Sequence, residues 1–179
     1  MKRSLFLAIA TIALVAVPSV SHAQLGLKPF SLGIAGGATQ PMSTLKDGAE
    51  MGYNGTVALA INVPLIPLGL RIDGAYNQFA AKGAVAGNLR VASATGNVVW
   101  RLPSVVISPY LIGGAGLYMS QVSSTGATSP TEKNFGWNAG AGLNLPLSVF
   151  HAFVEARYNS VKTDTGKMEF VPVTFGIMF

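Results

Sequence analysis

The chain has 179 residues, of which 50% are hydrophobic and only 11% are charged, with 21 Gly and no Cys. This composition excludes a disordered chain, because its apolar content is too high, and it excludes disulfide-stapled scaffolds and Cys-based metal sites. The formal net charge is +5, but the basic residues are scattered singly and two of them lie within the first three positions. We therefore expect no nucleic-acid partner and no cofactor.

The first 23 residues have the three regions of a secretory signal peptide. Lys2 and Arg3 precede an apolar run over 5–17 and the small-residue ending Ser21-His22-Ala23. We expect cleavage between Ala23 and Gln24, which divides the chain into a signal peptide, 1–23, and a mature domain, 24–179. A membrane-anchor helix is the alternative, and the short apolar core disfavours it.

From Phe30 onward the sequence alternates with a period of two, which predicts β-strands with one apolar face and one small or polar face. The first four predicted strands cover 30–39, 52–63, 68–79 and 89–102, and the fourth is the least regular. Their inward faces carry polar side chains such as Asn54, Asn77 and Asn97. Inward Asn residues indicate a polar interior.

Four further strands are predicted over 110–122, 134–145, 150–161 and 170–179. The sixth strand is the most regular, because every outward position is apolar and every inward position is Asn or Gly. The facing of the fifth strand is ambiguous. Its two tyrosines, Tyr110 and Tyr118, are eight residues apart, and we interpret them as markers of the two bilayer interfaces.

Long polar connections alternate with short Pro-containing ones along these eight strands. An even number of strands with this asymmetry predicts an all-β fold, an eight-stranded antiparallel up-and-down transmembrane β-barrel. In such barrels the short turns are periplasmic and the longer loops lie outside. The pattern therefore predicts a protein of the cell outer membrane with its N- and C-termini in the periplasm.

The chain resembles the small eight-stranded outer-membrane β-barrel family, the OmpX-like and opacity-type barrels. The matching segments are PYL and GGAG within 109–116, WNAGAG at 137–142, VEARY at 154–158 and the terminal VPVTFGIMF at 171–179. The family is functionally mixed, so the resemblance implies a structural or surface-interaction role. The outer loops are shorter than those of adhesive members, which disfavours adhesion.

The closing strand also resembles the C-terminal assembly signal of outer-membrane barrels. Its alternating apolar face consists of Val171, Val173, Phe175, Ile177 and Phe179. This resemblance implies that the barrel-assembly machinery and periplasmic chaperones act on the chain during biogenesis. Outer-membrane lipids are the expected permanent partner.

Inward charges on opposite sides of the barrel predict a network across the lumen. Arg71 and Asp73 lie on the third predicted strand, and Glu155 and Arg157 lie on the seventh, at comparable heights. Because the lumen of an eight-stranded barrel is only wide enough for side chains to fill it, we expect Arg71 to pair with Glu155 and Asp73 with Arg157, with Arg101 nearby. Such pairs would plug the lumen.

Three alternatives to a plugged structural barrel are a lipid-modifying barrel enzyme, a minor pore and a soluble lipocalin-like periplasmic barrel. An enzyme needs a nucleophile, a base and an orienting acid that converge. The mature chain has one His, His151, and no Ser lies beside it on its own strand face. We therefore predict no catalytic residues and no metal site.

Overall fold

The computed structural model describes residues 30–62, 66–82, 87–102, 107–124, 127–147, 150–164 and 166–179. The predicted signal peptide and its cleavage site lie outside the described residues. The described chain forms β1 (Phe30–Met42), α1 (Leu45–Gly48), β2 (Gly52–Asn62), β3 (Leu68–Ala80), β4 (Gly87–Arg101), β5 (Ser108–Ser124), β6 (Ala127–Thr128), β7 (Glu132–Pro146), β8 (His151–Thr163) and β9 (Gly166–Met178).

The sheet closes on itself. Long strands that follow one another along the chain pair antiparallel, β5 pairs directly with β7, and β1 pairs with β9. The two-residue strand β6 only extends the end of β5. At the seam, Leu32 and Phe179 exchange both backbone hydrogen bonds, at 2.9 and 2.8 Å. The predicted eight-stranded antiparallel up-and-down barrel is therefore confirmed.

The outward face of the barrel is apolar, in contrast to that of a water-soluble protein. Phe135 and Phe175 are each 63% exposed, and Ile72 is 57% exposed. Polar side chains, among them Asn77 and Asn138, are instead buried inside. A lipid-facing exterior around a polar interior is typical of transmembrane barrels, whereas a lipocalin-like soluble barrel requires the reverse. Among the described residues, no helix is long and apolar enough to cross a membrane.

We name the two ends of the barrel after the predicted connections, although the observed lengths overlap, since two residues separate β8 from β9 and six separate β4 from β5. The short-turn end carries the start of β1 and the connections β2–β3, β4–β5 and β7–β8. The long-loop end carries the connections β1–β2, β3–β4, β5–β7 and β8–β9. At the long-loop end, α1 and the residue after it fold over the barrel mouth, since Ala49 is buried and bridges Ala81 while the Lys82 amide bonds the Gly48 carbonyl at 3.0 Å.

Several predicted boundaries differ from the observed ones. The last strand begins at Gly166, not Phe170, because residues 166–169 continue the ladder with β8. The predicted linker 40–51 contains the end of β1 and all of α1. Both segments are more polar than the membrane-crossing parts of the strands, so their hydropathy did not distinguish them from loop.

The interpretation of Tyr110 and Tyr118 as bilayer-interface markers is wrong. Both side chains point into the lumen, where they are 6% and 1% exposed. The sequence left the facing of β5 open because Gly113 to Gly116 contributes almost no side chains to the alternation. The cross-strand register resolves it, since Tyr110 lies opposite Gly142, an inward position of β7.

Candidate functional site in the barrel lumen

Four charged side chains meet in the centre of the lumen, and we call them the charge cluster: Arg71 and Asp73 from β3, Glu155 and Arg157 from β8. The Arg71 guanidinium donates through Nη2 to both Glu155 carboxylate oxygens at 2.8 Å. Arg157 donates through Nη1 to Asp73 Oδ2 at 2.9 Å. All four residues are at most 8% exposed. The structure thus brings together the two pairs that the sequence predicted across the lumen.

Each strand also carries an ion pair of its own within the charge cluster. Arg71 Nε lies 3.1 Å from Asp73 Oδ2, and Arg157 Nε lies 3.0 Å from Glu155 Oε1. Residues two apart on a strand share a face, which is why both pairs point inward. Two positive and two negative groups therefore offset one another, and this mutual contact compensates for the high cost of taking charges out of water.

Neutral groups also donate hydrogen bonds to the two carboxylates. The Tyr110 hydroxyl donates to Glu155 Oε2 at 2.8 Å, and the Asn97 side-chain amide donates to Asp73 Oδ2 at 2.9 Å. Sequence reasoning missed the role of Tyr110 because the facing of β5 was undecided. The inward position of Asn97 was predicted, but the alternation of a strand does not identify a hydrogen-bond partner on another strand.

Arg101 and His151 lie outside the charge cluster. The Arg101 guanidinium donates to the side-chain oxygen of Asn62 near the short-turn end, and it makes no ion pair with another described residue. His151 is exposed at the same end, with Nδ1 3.5 Å from the Asn144 amide nitrogen. No group of three or more His, Cys, Asp or Glu that could hold a metal occurs among the described residues.

Both lumen tyrosines occupy space that glycines of β7 leave free. A Cβ atom at Gly142 would overlap the ring of Tyr110, and one at Gly136 would lie 2.8 Å from the ring of Tyr118. Each tyrosine ring therefore fits only because the glycine of β7 that it covers has no side chain. The inward glycines of β7, which the sequence showed as a simple alternation, let both rings lie over β7 and reach acceptors on β8.

An apolar cluster fills the lumen at the long-loop end, and we call it the mouth cluster. Phe170 is 1% exposed and packs edge-on against Phe79, with ring centroids 5.7 Å apart, and against Tyr118 at 6.4 Å. Leu45 of α1, which lies in the β1–β2 connection, packs against the mouth cluster. Its buried members among the described residues are Ala49, Phe79, Val91, Tyr118, Val161, Met168 and Phe170.

Polar side chains fill the layer between the charge cluster and the mouth cluster. Asn54 donates to Thr39 Oγ1, and Thr39 donates to Asn77 Oδ1, both at 2.9 Å. The Tyr118 hydroxyl donates to Asn159 Oδ1, also at 2.9 Å. A cavity of about 30 Å³ remains here, enough for about two water molecules. Its lining includes Asn77, Thr95, Glu155, Arg157, Asn159 and Phe170.

A closed barrel with a lipid-facing exterior and a lumen filled by side chains defines an integral membrane β-barrel protein. The family model described as outer membrane protein beta-barrel domain matches residues 4–179. The chain belongs to this family and is an outer-membrane protein, as the sequence predicted. A comparison with curated protein sequences found no match.

Solved structures of outer-membrane proteins share this fold. Neisserial surface protein A is 17% identical with a TM-score of 0.62, over 84% of this chain and 96% of that chain. A major outer membrane protein from Thermus thermophilus is 10% identical with a TM-score of 0.58, over 85% and 99%. Ail, the attachment invasion locus protein of Yersinia pestis, is 20% identical with a TM-score of 0.53, over 86% and 100%. At these identities the likeness concerns the fold alone.

Proposed function

We propose that this protein is a closed outer-membrane barrel with a structural or surface-interaction role, which neither conducts ions nor catalyses a reaction. The observation that carries the proposal is the filled lumen. The charge cluster joins β3 to β8 across the barrel, and the mouth cluster seals the long-loop end. A path for hydrated ions would require both layers to open.

Planar bilayer recordings test the closed state. Purified wild-type barrel should give no steady conductance at neutral pH, because the charge cluster and the mouth cluster fill the lumen and the cavity between them holds only about two waters. The double variant Glu155→Gln with Arg71→Gln, which removes one charge of each sign from the charge cluster, serves as the comparison. Steady wild-type channels of uniform size would contradict the proposal and favour a minor pore.

A lipid-modifying enzyme is less well supported. His151 lies exposed at the short-turn end and contacts Asn144, and no carboxylate among the described residues orients its ring as the acid of a catalytic triad does. The buried carboxylates are already engaged by arginines and Tyr110. These contacts leave no described carboxylate of the lumen free to act as a general base for a substrate.

We also propose the predicted orientation, with both termini and the short-turn end in the periplasm. The signal peptide would be removed during export by cleavage between Ala23 and Gln24, which the intact mass of protein purified from membranes checks. The barrel-assembly machinery and periplasmic chaperones would then act on the chain, with the outward face of β9 as the assembly signal: Val171, Val173, Phe175, Ile177 and Phe179.

Deletion of Phe179 should lower the amount of barrel in the membrane by more than its effect on stability explains. The residue closes the β1–β9 seam with two backbone hydrogen bonds to Leu32, which together contribute about 1–3 kcal/mol. Phe179→Ala keeps these bonds and removes the ring. Equal membrane levels for wild type and Phe179→Ala would contradict the role of the aromatic terminus in assembly, and refolding into detergent reports stability separately.

A further inference from the structure

Arg101 is the arginine of the described lumen that has no carboxylate partner. Its side chain points inward at the short-turn end of β4 and lies opposite Tyr110 in the ladder. The guanidinium lies over β3, because a Cβ atom at Gly69 would be 3.1 Å from Nη1 and 3.2 Å from Nη2, and it donates to Asn62 Oδ1 on β2. A second cation, Arg71, acts on it electrostatically. Arg101 is therefore held in position without a counter-charge.

The sequence supplies no acidic side chain to the short-turn end. Two of its seven Asp and Glu residues, Asp73 and Glu155, belong to the charge cluster, and each already binds both Arg71 and Arg157. The carboxyl group of Phe179 lies four strands away from β4 and accepts the Leu32 amide proton at 2.9 Å. The other five acidic residues lie at the long-loop end: Asp47, Glu50, Glu132, Asp164 and Glu169. An acidic partner for Arg101 therefore has to come from another molecule.

The charges of the described lumen do not balance. Below the mouth cluster, the three guanidinium groups of Arg71, Arg101 and Arg157 face the two carboxylates of Asp73 and Glu155. The excess is one positive charge, and Arg101 carries it at a half-buried position. A charge that is partly withdrawn from water is stabilised by an opposite charge beside it. One monovalent anion offsets this excess, whereas a divalent anion reverses its sign.

The groups around Arg101 favour a carboxylate as that anion. A guanidinium carries five N–H donors in a planar fork, which binds the two oxygens of a carboxylate side by side. The Asn62 amide nitrogen lies 3.4 Å from Ser31 Oγ, so the Ser31 hydroxyl accepts this bond and keeps its own proton to donate. Strands β1 and β4 thus supply donors at the same mouth, and Asn62 on β2 holds the guanidinium between them.

We propose that Arg101, with Asn62 and Ser31, binds a small monocarboxylate anion that enters the lumen from the short-turn end. The carboxylate lies against the guanidinium fork, and the Ser31 hydroxyl donates to one of its oxygens. The bound charge offsets the excess positive charge of the lumen. The site lies on the short-turn side of the charge cluster, so it requires neither a sealed long-loop end nor a particular orientation of the barrel.

Denaturant unfolding of the barrel in neutral detergent tests the site, with acetate as the probe and chloride at equal ionic strength as the comparison. A ligand that binds only the folded state raises the unfolding midpoint once its concentration exceeds its Kd. Line broadening of ¹³C-labelled acetate by the folded barrel measures this Kd directly. Arg101→Gln should raise the Kd about tenfold, as expected for loss of a charge-assisted hydrogen bond. His151→Gln, at an exposed position of the same end, should bind acetate like wild type.

Asn62→Asp provides an internal counter-charge as a second test. Its carboxylate replaces the amide oxygen that Arg101 contacts. This variant should therefore have a higher unfolding midpoint than wild type in chloride, and acetate should raise the midpoint no further. A full acetate shift in Asn62→Asp would contradict the proposal, because the guanidinium would then not be the group that acetate binds.

Three further results would overturn the proposal. Acetate binding by Arg101→Gln at the wild-type level would show that the anion binds elsewhere. Equal midpoint shifts in acetate and chloride would show that the excess charge needs only ionic screening. A larger shift in phosphate than in acetate at equal ionic strength would show that charge balance does not select the anion. Heat-dependent gel migration of every variant verifies that its barrel is folded, so that a failed fold is not read as lost binding.

Discussion

Glu155→Gln is expected to lower the free energy of unfolding by about 3–5 kcal/mol. The carboxylate accepts bonds from Arg71, Arg157 and Tyr110, and its removal leaves an uncompensated positive charge at a buried position. Glu50→Gln, at an exposed position of the β1–β2 connection, is the control and should change stability by less than about 0.5 kcal/mol. Denaturant titration of the barrel in detergent measures both.

A double-mutant cycle separates the cross-lumen pair from the rest of the charge cluster. Arg71→Gln alone should also destabilise, because it leaves Glu155 and Asp73 with only Arg157. The double variant removes one charge of each sign, and Asp73 and Arg157 remain as a neutral pair at 2.9 Å. Its cost should therefore be smaller than the sum of the two single costs. Strict additivity would mean that Arg71 and Glu155 do not stabilise each other.

Phe170→Ala is expected to cost about 3–5 kcal/mol, because it opens a cavity in the mouth cluster. The ring is fully enclosed and makes edge-on contacts with Phe79 and Tyr118. Phe175→Ala is the matched control, since it removes the same group from the same strand on the lipid-facing side, where the ring is 63% exposed.

The two phenylalanine variants should differ by at least about 2 kcal/mol in the free energy of unfolding. Fluorescence follows the transition, because Trp100 and Trp137 both lie on the outward face and move from detergent into water on unfolding. Similar losses in both variants would mean that the lumen at the long-loop end is loosely packed, against the observed contacts.

Alternation of side chains was sufficient to predict the barrel and much of the lumen. Along β7 every outward residue from Phe135 to Leu145 is apolar, and inward Asn and Gly alternate with them, so both faces of the strand were unambiguous. The same rule put Arg71 and Glu155 on inward faces. The third and seventh long strands, β3 and β8, lie opposite each other in an eight-stranded ring. The contact between Arg71 and Glu155 across the lumen therefore followed from the topology.

Features that depend on register or on the loops could not be predicted in this way. The run Gly113 to Gly116 carries no side chains that distinguish the faces of β5, so the inward position of Tyr110 required the pairing with β7. Arg101 was expected near the charge cluster; it lies opposite Tyr110 and donates to Asn62, an acceptor that alternation alone does not identify. The closure of the mouth by α1 depends on contacts of Leu45 and Ala49 with the mouth cluster. A helix of four residues is too short to show an apolar face in the sequence, so these contacts could not be predicted.

The placement of opposite charges two residues apart on one strand has a consequence for how the barrel enters the membrane. Before the ring closes, β3 and β8 are separate hairpin strands that have not yet met. Arg71 with Asp73 and Arg157 with Glu155 already balance the charges that each strand buries in the lumen. The lumen charges of each strand are therefore offset without the partner strand, so the cross-lumen bonds are not required until the ring closes.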